Sequence, residues 1–586
     1  MERRASREPA LSEVGGSSPL RMPGAPLDRA RSFWVTIHRM LRRRSVSRLL
    51  PIVLLLIAPL LAAPVKSGPV KTIEARPLQD RIAAILSAPD LARGFWGIEV
   101  VSLSSGKAAG ETLYSQNADK LFTPASNTKL FTTAAALALI GPDYKFRTTV
   151  ETTGTLDRYG RLNGDLVLVG HGDPNLSGRE LPYDLRTQRN DDPIQALEAL
   201  ADALVQKGVK FIDGDIVADD SYFAFERYGE GWSQDDLVWA DGAPVSALTI
   251  NDNVVFVNIL PADRPGEKAF VSVKPFADYY HLDNRIITTP AGTGRKFFVN
   301  REPGSTVLTL WGNMPLDDAG ANEALAIEDP AEFAAGLFRQ LLEKRGIVIY
   351  GHQRTRHTEL ATLSTFSVTA IAPARGGRVN DRVNDKDNDG QPRPLKNNQP
   401  ITLASYESKP LLQDVRVINK VSQNLHAEIL LRLLGRERGN AGTVEGGLEV
   451  LRGFLTQAGI SNDQYVFYDG SGLSRQNLVT PHAIVQLLRY CSTQPWGAAY
   501  KSTFPVGGVD GSLSERLNSP RLQNRVVAKT GSLGGVKALS GYTTTDAGQV
   551  VVFSILSNNF NLPTKRVTDA IDELVQAIVE DAPASH

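Results

Sequence analysis

The stretch Thr123-Pro124-Ala125-Ser126-Asn127-Thr128-Lys129 opens a run from Leu130 to Ile140 that is apolar on nearly every side and is stopped by Gly141-Pro142. A helix apolar all round belongs in a core, so a domain has to be built around this one. Pro124 cannot sit inside the helix, which therefore starts close to Ser126. Residues three apart share a helix face, so Ser126 and Lys129 lie one turn apart at the positive end of a buried helix. A free hydroxyl is a weak nucleophile, and an amine whose proton affinity is lowered by burial can take its proton. Ser126 and Lys129 are thus candidates for nucleophile and general base. A second Ser-x-x-Lys, Ser104 to Lys107, follows a strand-like segment and has no helix to align it. One such pair also opens ordinary surface helices, so the rest of the chain has to decide.

At 586 residues several domains are expected. The 64 basic residues balance 64 acidic ones, which removes any global electrostatic reason to expect nucleic acid. A single cysteine, Cys491, excludes an internal disulfide framework and a cysteine-rich zinc site, and reads as a small buried hydrophobe. Residues 1–48 are Arg-rich without apolar period; Arg42 to Arg44 and Arg48 then precede the apolar run Leu49 to Ala63. That order is a secretory signal, and the run is short for a membrane span. Met22 and Met40 are alternative starts, Val65 to Ser67 is the better cleavage site, and an uncleaved anchor is the alternative reading. Either way the bulk of the chain is expected to be exported, to the periplasm or cell envelope, and it would touch a membrane only through an uncleaved segment within residues 1–70.

Residues 71–145 read as helix (Arg76 to Ser87), a hairpin (Gly97 to Ser102 with Thr112 to Tyr114) and the Ser126 helix. Residues 146–404 carry short alternating strands with occasional helices, Pro193 to Gly208 and Pro330 to Lys344, and read as mainly β accessory domains, two in number. His171-Gly172-Asp173-Pro174 is turn chemistry. Residues 374–400 are a polar linker; inside it Asp385 to Gly390 opens like a calcium loop, but Lys396 occupies the ligand position and Pro392 and Pro394 interrupt it. From 405 to 586 helices return. Leu411 to Leu434 reads as one long amphipathic helix, followed by Gly442 to Ala458 and Pro481 to Cys491. Three strands, Arg525 to Lys529, Gly535 to Thr545 and Gln549 to Leu556, precede a last helix, Lys565 to Glu580.

Two short motifs fall in this last part. Ser422-Gln423-Asn424 is a Ser-x-Asn, a pattern also present at Ser115 and Ser557; Lys529-Thr530-Gly531 occurs once and reads as a strand end. Singly they are weak. Ser-x-x-Lys, Ser-x-Asn and Lys-Thr-Gly in that order form the set of penicillin-binding proteins and serine β-lactamases. The sequence resembles the penicillin-binding protein 4 family of D-alanyl-D-alanine carboxypeptidases and endopeptidases, serine peptidases S13, over roughly residues 80–580. The resemblance rests on Pro124 to Lys129, Asn419 to Glu428, Asp469 to Arg475, Val509 to Ser512 and Ala528 to Leu533. Leu168 to Leu176, Val217 to Phe223 and Val245 to Asn253 also look like the family. Gln423 stands where the family usually has Asp.

The resemblance implies an α/β (α+β) serine transpeptidase fold, an antiparallel sheet flanked by helices. Residues 71–145 and 405–586 would form the peptidase domain and 146–404 the insertion. It implies acyl transfer: Ser126 attacks the carbonyl of the penultimate D-alanine, Lys129 is the base, Ser422 relays the proton and Asn424 holds the substrate amide. Lys529 and Thr530 would bind the terminal carboxylate, with Gly531 and Ser532 beside them, and the backbone N–H groups of Ser126 and Ser532 would form the oxyanion hole. Peptidoglycan stem peptides are the implied substrates and β-lactams covalent inhibitors; no cofactor or metal is implied, and no nucleic-acid partner. No Gly-x-Ser-x-Gly elbow is present, against an α/β-hydrolase. His426-Ala427-Glu428 lacks the Pro-Cys-x-x-Cys partner of a deaminase, and both residues are expected to orient the Ser422 helix. A β-lactamase or esterase on the same fold and a non-catalytic cell-wall binding protein are the alternatives.

Overall fold

Val550–Asn558 is buried along almost its whole length, and a strand of that kind needs cover on both faces. It lies at the centre of a five-stranded antiparallel sheet in the computed structural model, which describes residues 77–103, 110–190, 192–363 and 399–581. The sheet order is Thr112–Gln116, Phe95–Ser102, Val550–Asn558, Val536–Thr544 and Val527–Leu533. Side chains alternate across a strand. Val551, Phe553 and Ile555 accordingly join a core with the helices Leu78–Leu86 and Thr564–Val579. Val552 and Leu556 face a second core built from Pro481–Ser492, Thr128–Leu139 and the helices after residue 410. Cys491 is buried there as a small apolar filler, and burial pushes its thiol pKa up.

Thr128–Leu139 is buried from Thr128 to Leu137, as its composition requires. The chain leaves its end at Gly141, whose φ of +102° favours glycine, and enters Arg147–Thr152. That strand pairs antiparallel with Ile401–Glu407, so the chain departs and returns side by side. Between them lies a mixed sheet of Gln353–Thr358, Ile216–Ala224, Leu166–Val169, Arg147–Thr152 and Ile401–Glu407. Two three-stranded sheets follow, around Val254–Leu260 and around Val307–Pro315. Helices Gln195–Gln206 and Pro330–Lys344 fill the core with them. The turn expected over His171 to Pro174 is only a bend at Gly172, φ +80°, because Asp173–Leu176 pairs as a strand with Leu248–Ile250.

Two expectations fail instructively. The single helix expected over Leu411 to Leu434 is two, Leu411–Lys420 and Asn424–Arg438, broken at Ser422 with φ +62°. The apolar period runs through the break because Val415, Ile418, Leu425, Ile429 and Leu433 all enter one core. The second helix opens on its own cap: Gln423 Oε1 accepts from Leu425 N at 2.9 Å. Lys529 also does not end its strand, which continues to Leu533 and turns at Gly534-Gly535. Gly531 is there for close approach, not for a turn. The secretory segment, Ser104 to Lys107, the linker to residue 398 and the Asp385 loop lie outside the described residues. Among the described residues no helix is long and apolar enough to cross a membrane.

Leu430 is fully buried in the helix after the break. Leu430→Ala should cost about 2–5 kcal/mol of stability, from lost transfer energy and the cavity left behind, read as a lowered urea midpoint of unfolding.

Candidate active site

Ser126 sits in a 3-10 turn, Ala125–Asn127, that precedes the buried helix. Ala125 has φ +48°, a strained value for a residue with a side chain, and the surroundings enforce it. Gly472 (φ +84°) is so close that a Cβ there would overlap Ala125 O. Gly531 presses from the sheet side, where a Cβ would lie 2.7 Å from Pro124 O. Thr128 Oγ1 donates to Ala125 O at 3.0 Å and itself accepts from Asn477 Nδ2 at 3.2 Å. The turn is gripped between two glycines and pinned from below.

One helical turn on, Lys129 is fully buried. Its Nζ lies 2.8 Å from Ser126 Oγ, 2.6 Å from Asn424 Oδ1 and 2.6 Å from Ser471 O. Asn424 Nδ2 donates to Asp241 O at 2.9 Å, which fixes the amide so that Oδ1 faces the lysine. Asn424 Oδ1 and Ser471 O can only accept. A neutral amine has two protons and one lone pair, so with both protons committed its lone pair points at Ser126 Oγ. Burial brings the Lys129 pKa down from 10.5 to about 8, against the opposing pull of Asp469, Glu428 and Asp241. The geometry therefore suits proton removal from Ser126.

Ser471 is held in turn by two buried carboxylates. Glu428 Oε1 accepts from Gly470 N at 3.0 Å and Ser471 N at 2.8 Å, and Arg432 Nη1 lies 3.2 Å from Oε2. Asp469 accepts from Gly472 N, Ser474 N, Asn477 Nδ2 and Trp232 Nε1 at 2.6–3.0 Å. Asp469 thus ties down the turn that follows it, and Glu428 orients the lysine's carbonyl partner.

The second cluster lies on the edge strand Val527–Leu533, which packs on the Ser126 turn. Lys529 is fully buried, and its Nζ donates to Ser422 Oγ at 2.9 Å and Thr530 O at 2.9 Å. The positive φ of Ser422 is what turns this hydroxyl out of the helix line toward Lys529. Burial, then the charge of Lys129, push the Lys529 pKa well below its ordinary range; a bound carboxylate would offset both effects. Thr530 Oγ1 lies 2.6 Å from Ser512 Oγ, and Lys420 and Asp510 form a buried ion pair beside that serine.

Every expected site residue except Ser532 is thereby tied by contact to one of two clusters: Ser126, Lys129 and Asn424 in one, Ser422, Lys529 and Thr530 in the other, with Gly531 at the nucleophile turn. Ser532 follows in the same strand, paired with Lys537. The carbonyls of Asp241 and Ser471 were beyond sequence reading, since a backbone oxygen leaves no residue signature. Ser512 lies in a quoted motif but carried no assigned role.

Residues 78–366 and 373–578 match the model of the D-Ala-D-Ala carboxypeptidase 3 (S13) family. The chain belongs to this family. Similar proteins include a D-alanyl-D-alanine carboxypeptidase of Actinomadura sp. (strain R39), 33% identical over 506 residues, covering 84% of this chain and 83% of that protein. Another is the D-alanyl-D-alanine carboxypeptidase DacB of Haemophilus influenzae, 26% identical over 459 residues, 76% of this chain and 82% of that one. The crystal structure of penicillin binding protein 4 from Haemophilus influenzae has the same fold, with a TM-score of 0.68 at 24% identity over 86% of this chain and 99% of that chain. The fold is the penicillin-binding one, and the activity is that of a serine D-Ala-D-Ala carboxypeptidase.

A lysine amine accepts a proton only when neutral, so acylation by a β-lactam should speed up as pH rises toward about 8 and level off above it, measured by stopped-flow over pH 5–10. Gly472→Ala should slow acylation by about 100-fold or more, since displacing a reacting group by an ångström costs that much. Titrating active sites with a labelled penicillin would check it.

Proposed function

We propose that the two clusters divide the work of an acyl-serine peptidase acting on peptidoglycan stem peptides. Ser126 Oγ attacks the carbonyl of the penultimate D-alanine while its proton passes to Lys129 Nζ. Asn424 and Ser471 O hold that amine, and the second lone pair of Asn424 Oδ1 is left for the substrate N–H. Ser422 relays that proton from Lys129 to the leaving amine, accepting one as it gives one, so the lysine is neutral again when water attacks. Lys529 and Thr530, backed by Ser512, receive the terminal carboxylate. Ser532 and Ser126 supply backbone N–H groups to the oxyanion, one of them from a sheet edge with unpaired groups. Water then releases the acyl-enzyme.

The observation that carries this reading is the 2.8 Å contact between Ser126 Oγ and a fully buried lysine amine. Holding a lysine out of water costs several kcal/mol if it stays charged, an expense a cell-wall binding protein has no use for. The family and the signal-like N-terminus support an exported envelope enzyme that is acylated by penicillins. Some D,D-endopeptidase action on cross-linked peptides is part of the proposal.

Fluorescent-penicillin labelling of the protein lacking residues 1–67, beside a Ser126→Ala copy, tests the nucleophile. Label should appear on the first alone; label on both would place the acyl group on another serine. Release of D-alanine from a peptide ending in D-Ala-D-Ala should fall by at least about 10⁴-fold in Ser126→Ala and Lys129→Ala. Lys529→Ala should lose about 10–100-fold, the worth of a charge-assisted carboxylate contact.

A further inference from the structure

Asp252 lies in the insertion, 170 residues before Ser422 in the chain (422 − 252), yet its carboxylate ends at the catalytic segment. It sits at the centre of three consecutive left-handed residues, Asn251, Asp252 and Asn253, with φ of 51°, 56° and 53°. Residues of this kind persist only where the surroundings over-determine them. Here the two flanking amides do so. Asn251 Nδ2 donates to Val254 O at 2.8 Å, Asn253 Oδ1 accepts from Ile250 N at 3.2 Å, and Asn253 Nδ2 donates to Pro244 O at 2.8 Å.

The carboxylate so presented is 3% exposed and has four partners. Arg179 and Arg189, which face each other across a short hairpin, reach it at 2.6 and 2.5 Å. The other two partners come from the catalytic segment: Gln423 Nε2 at 3.3 Å and His426 Nε2 at 3.2 Å. The opposite ring nitrogen of His426 meets Asp414 Oδ1 at 2.7 Å. Asp414 lies on the helix before the break, His426 on the helix after it. With a carboxylate at each nitrogen, the imidazole is held above its ordinary pKa despite full burial. The line Asp252, His426, Asp414 therefore spans the break that exposes Ser422. Gln423 completes it by doing two jobs at once, accepting from Leu425 N and donating to Asp252. A carboxylate at position 423 could do the first and would be repelled in the second.

We propose that Asp252 is a positioning residue for acylation: by accepting from Gln423 and His426 it holds the break between the two helices in the form that offers Ser422 to Lys529 and Asn424 to Lys129. The insertion thereby acts on the chemistry without touching substrate. The inference rests on the roles given above to Ser422 and Asn424.

The test is a double-substitution cycle on the full chain, with Gln423→Asp, Asp252→Asn and the pair together. Labelled-penicillin acylation rates, kcat and KM for D-alanine release, and thermal midpoints are measured on each. Gln423→Asp leaves the Asp252–arginine pairs in place, so a folded protein is expected from it even if Asp252→Asn is unstable. It should slow acylation and lower kcat by about tenfold or more with KM nearly constant. The pair together should recover most of that loss, because the amide introduced at 252 can donate to the carboxylate introduced at 423. Gln423→Asp acylating at the unsubstituted rate would overturn the proposal. So would a paired variant whose loss is the product of the single losses, or a lowered thermal midpoint with an unchanged rate. Ser422→Ala separates the two levels. If it is slow while Gln423→Asp is normal, Asp252 has no positioning role; if it is itself normal, the assignment of Ser422 fails.

Discussion

Everything at the active site follows from the three partners of one buried amine. Lys129 Nζ has three neighbours within hydrogen-bonding distance, and two of them can only accept. The third, a hydroxyl, can do either. That asymmetry turns a desolvated lysine into a base aimed at one oxygen. It also explains the outlay of buried charge behind it: Glu428 and Asp469 fix the glycine-rich turn whose carbonyl takes one proton, and the Asp241 backbone fixes the amide that takes the other. The nucleophile needs no separate orienting partner, because Gly472 and Gly531 leave its turn nowhere else to go.

Much of this was legible in the sequence, and the pattern of what was not is physical. The buried helix, its stop at Gly141-Pro142 and the three motifs were readable because each is local: a composition, a turn residue, a spacing. The pairing of Lys129 with Asn424 was not derivable from spacing, since 295 residues separate them; the resemblance brought both to one site but gave Asn424 only the substrate amide. The break at Ser422 was hidden because core burial set the apolar period, and both helices contribute to the same core. The cap that opens the second helix, Gln423, is a residue whose identity suggests nothing of the kind. Lys529 was placed at a strand end because the glycine after it suggested a turn; tertiary packing, not backbone conformation, asks for that glycine.

The two lysines show how burial can serve opposite ends. Lys129 has a hydroxyl and two carbonyl-type acceptors, and its depressed proton affinity is the useful property. Lys529 has a hydroxyl and a single carbonyl, with no ion-pair partner among the described residues, so a substrate carboxylate is the group that would complete it. In the proposed mechanism the same desolvation makes one side chain a base and the other a waiting counter-ion.

The order of the main sheet has a consequence for how the enzyme comes into being. Its central strand, Val550–Asn558, is nearly the last to be made, and it stands between Phe95–Ser102 and Val536–Thr544, with Phe95 opposite Asn558. The early hairpin therefore has no sheet to join until Val550–Asn558 is made, whereas Arg147–Thr152 and Ile401–Glu407, which pair with each other, both precede that strand. Long-range pairing of this kind is slow to form. Ser126 and Lys129 are made well before the strands of the sheet on which their turn packs, so a growing chain carries both without the surroundings that position them.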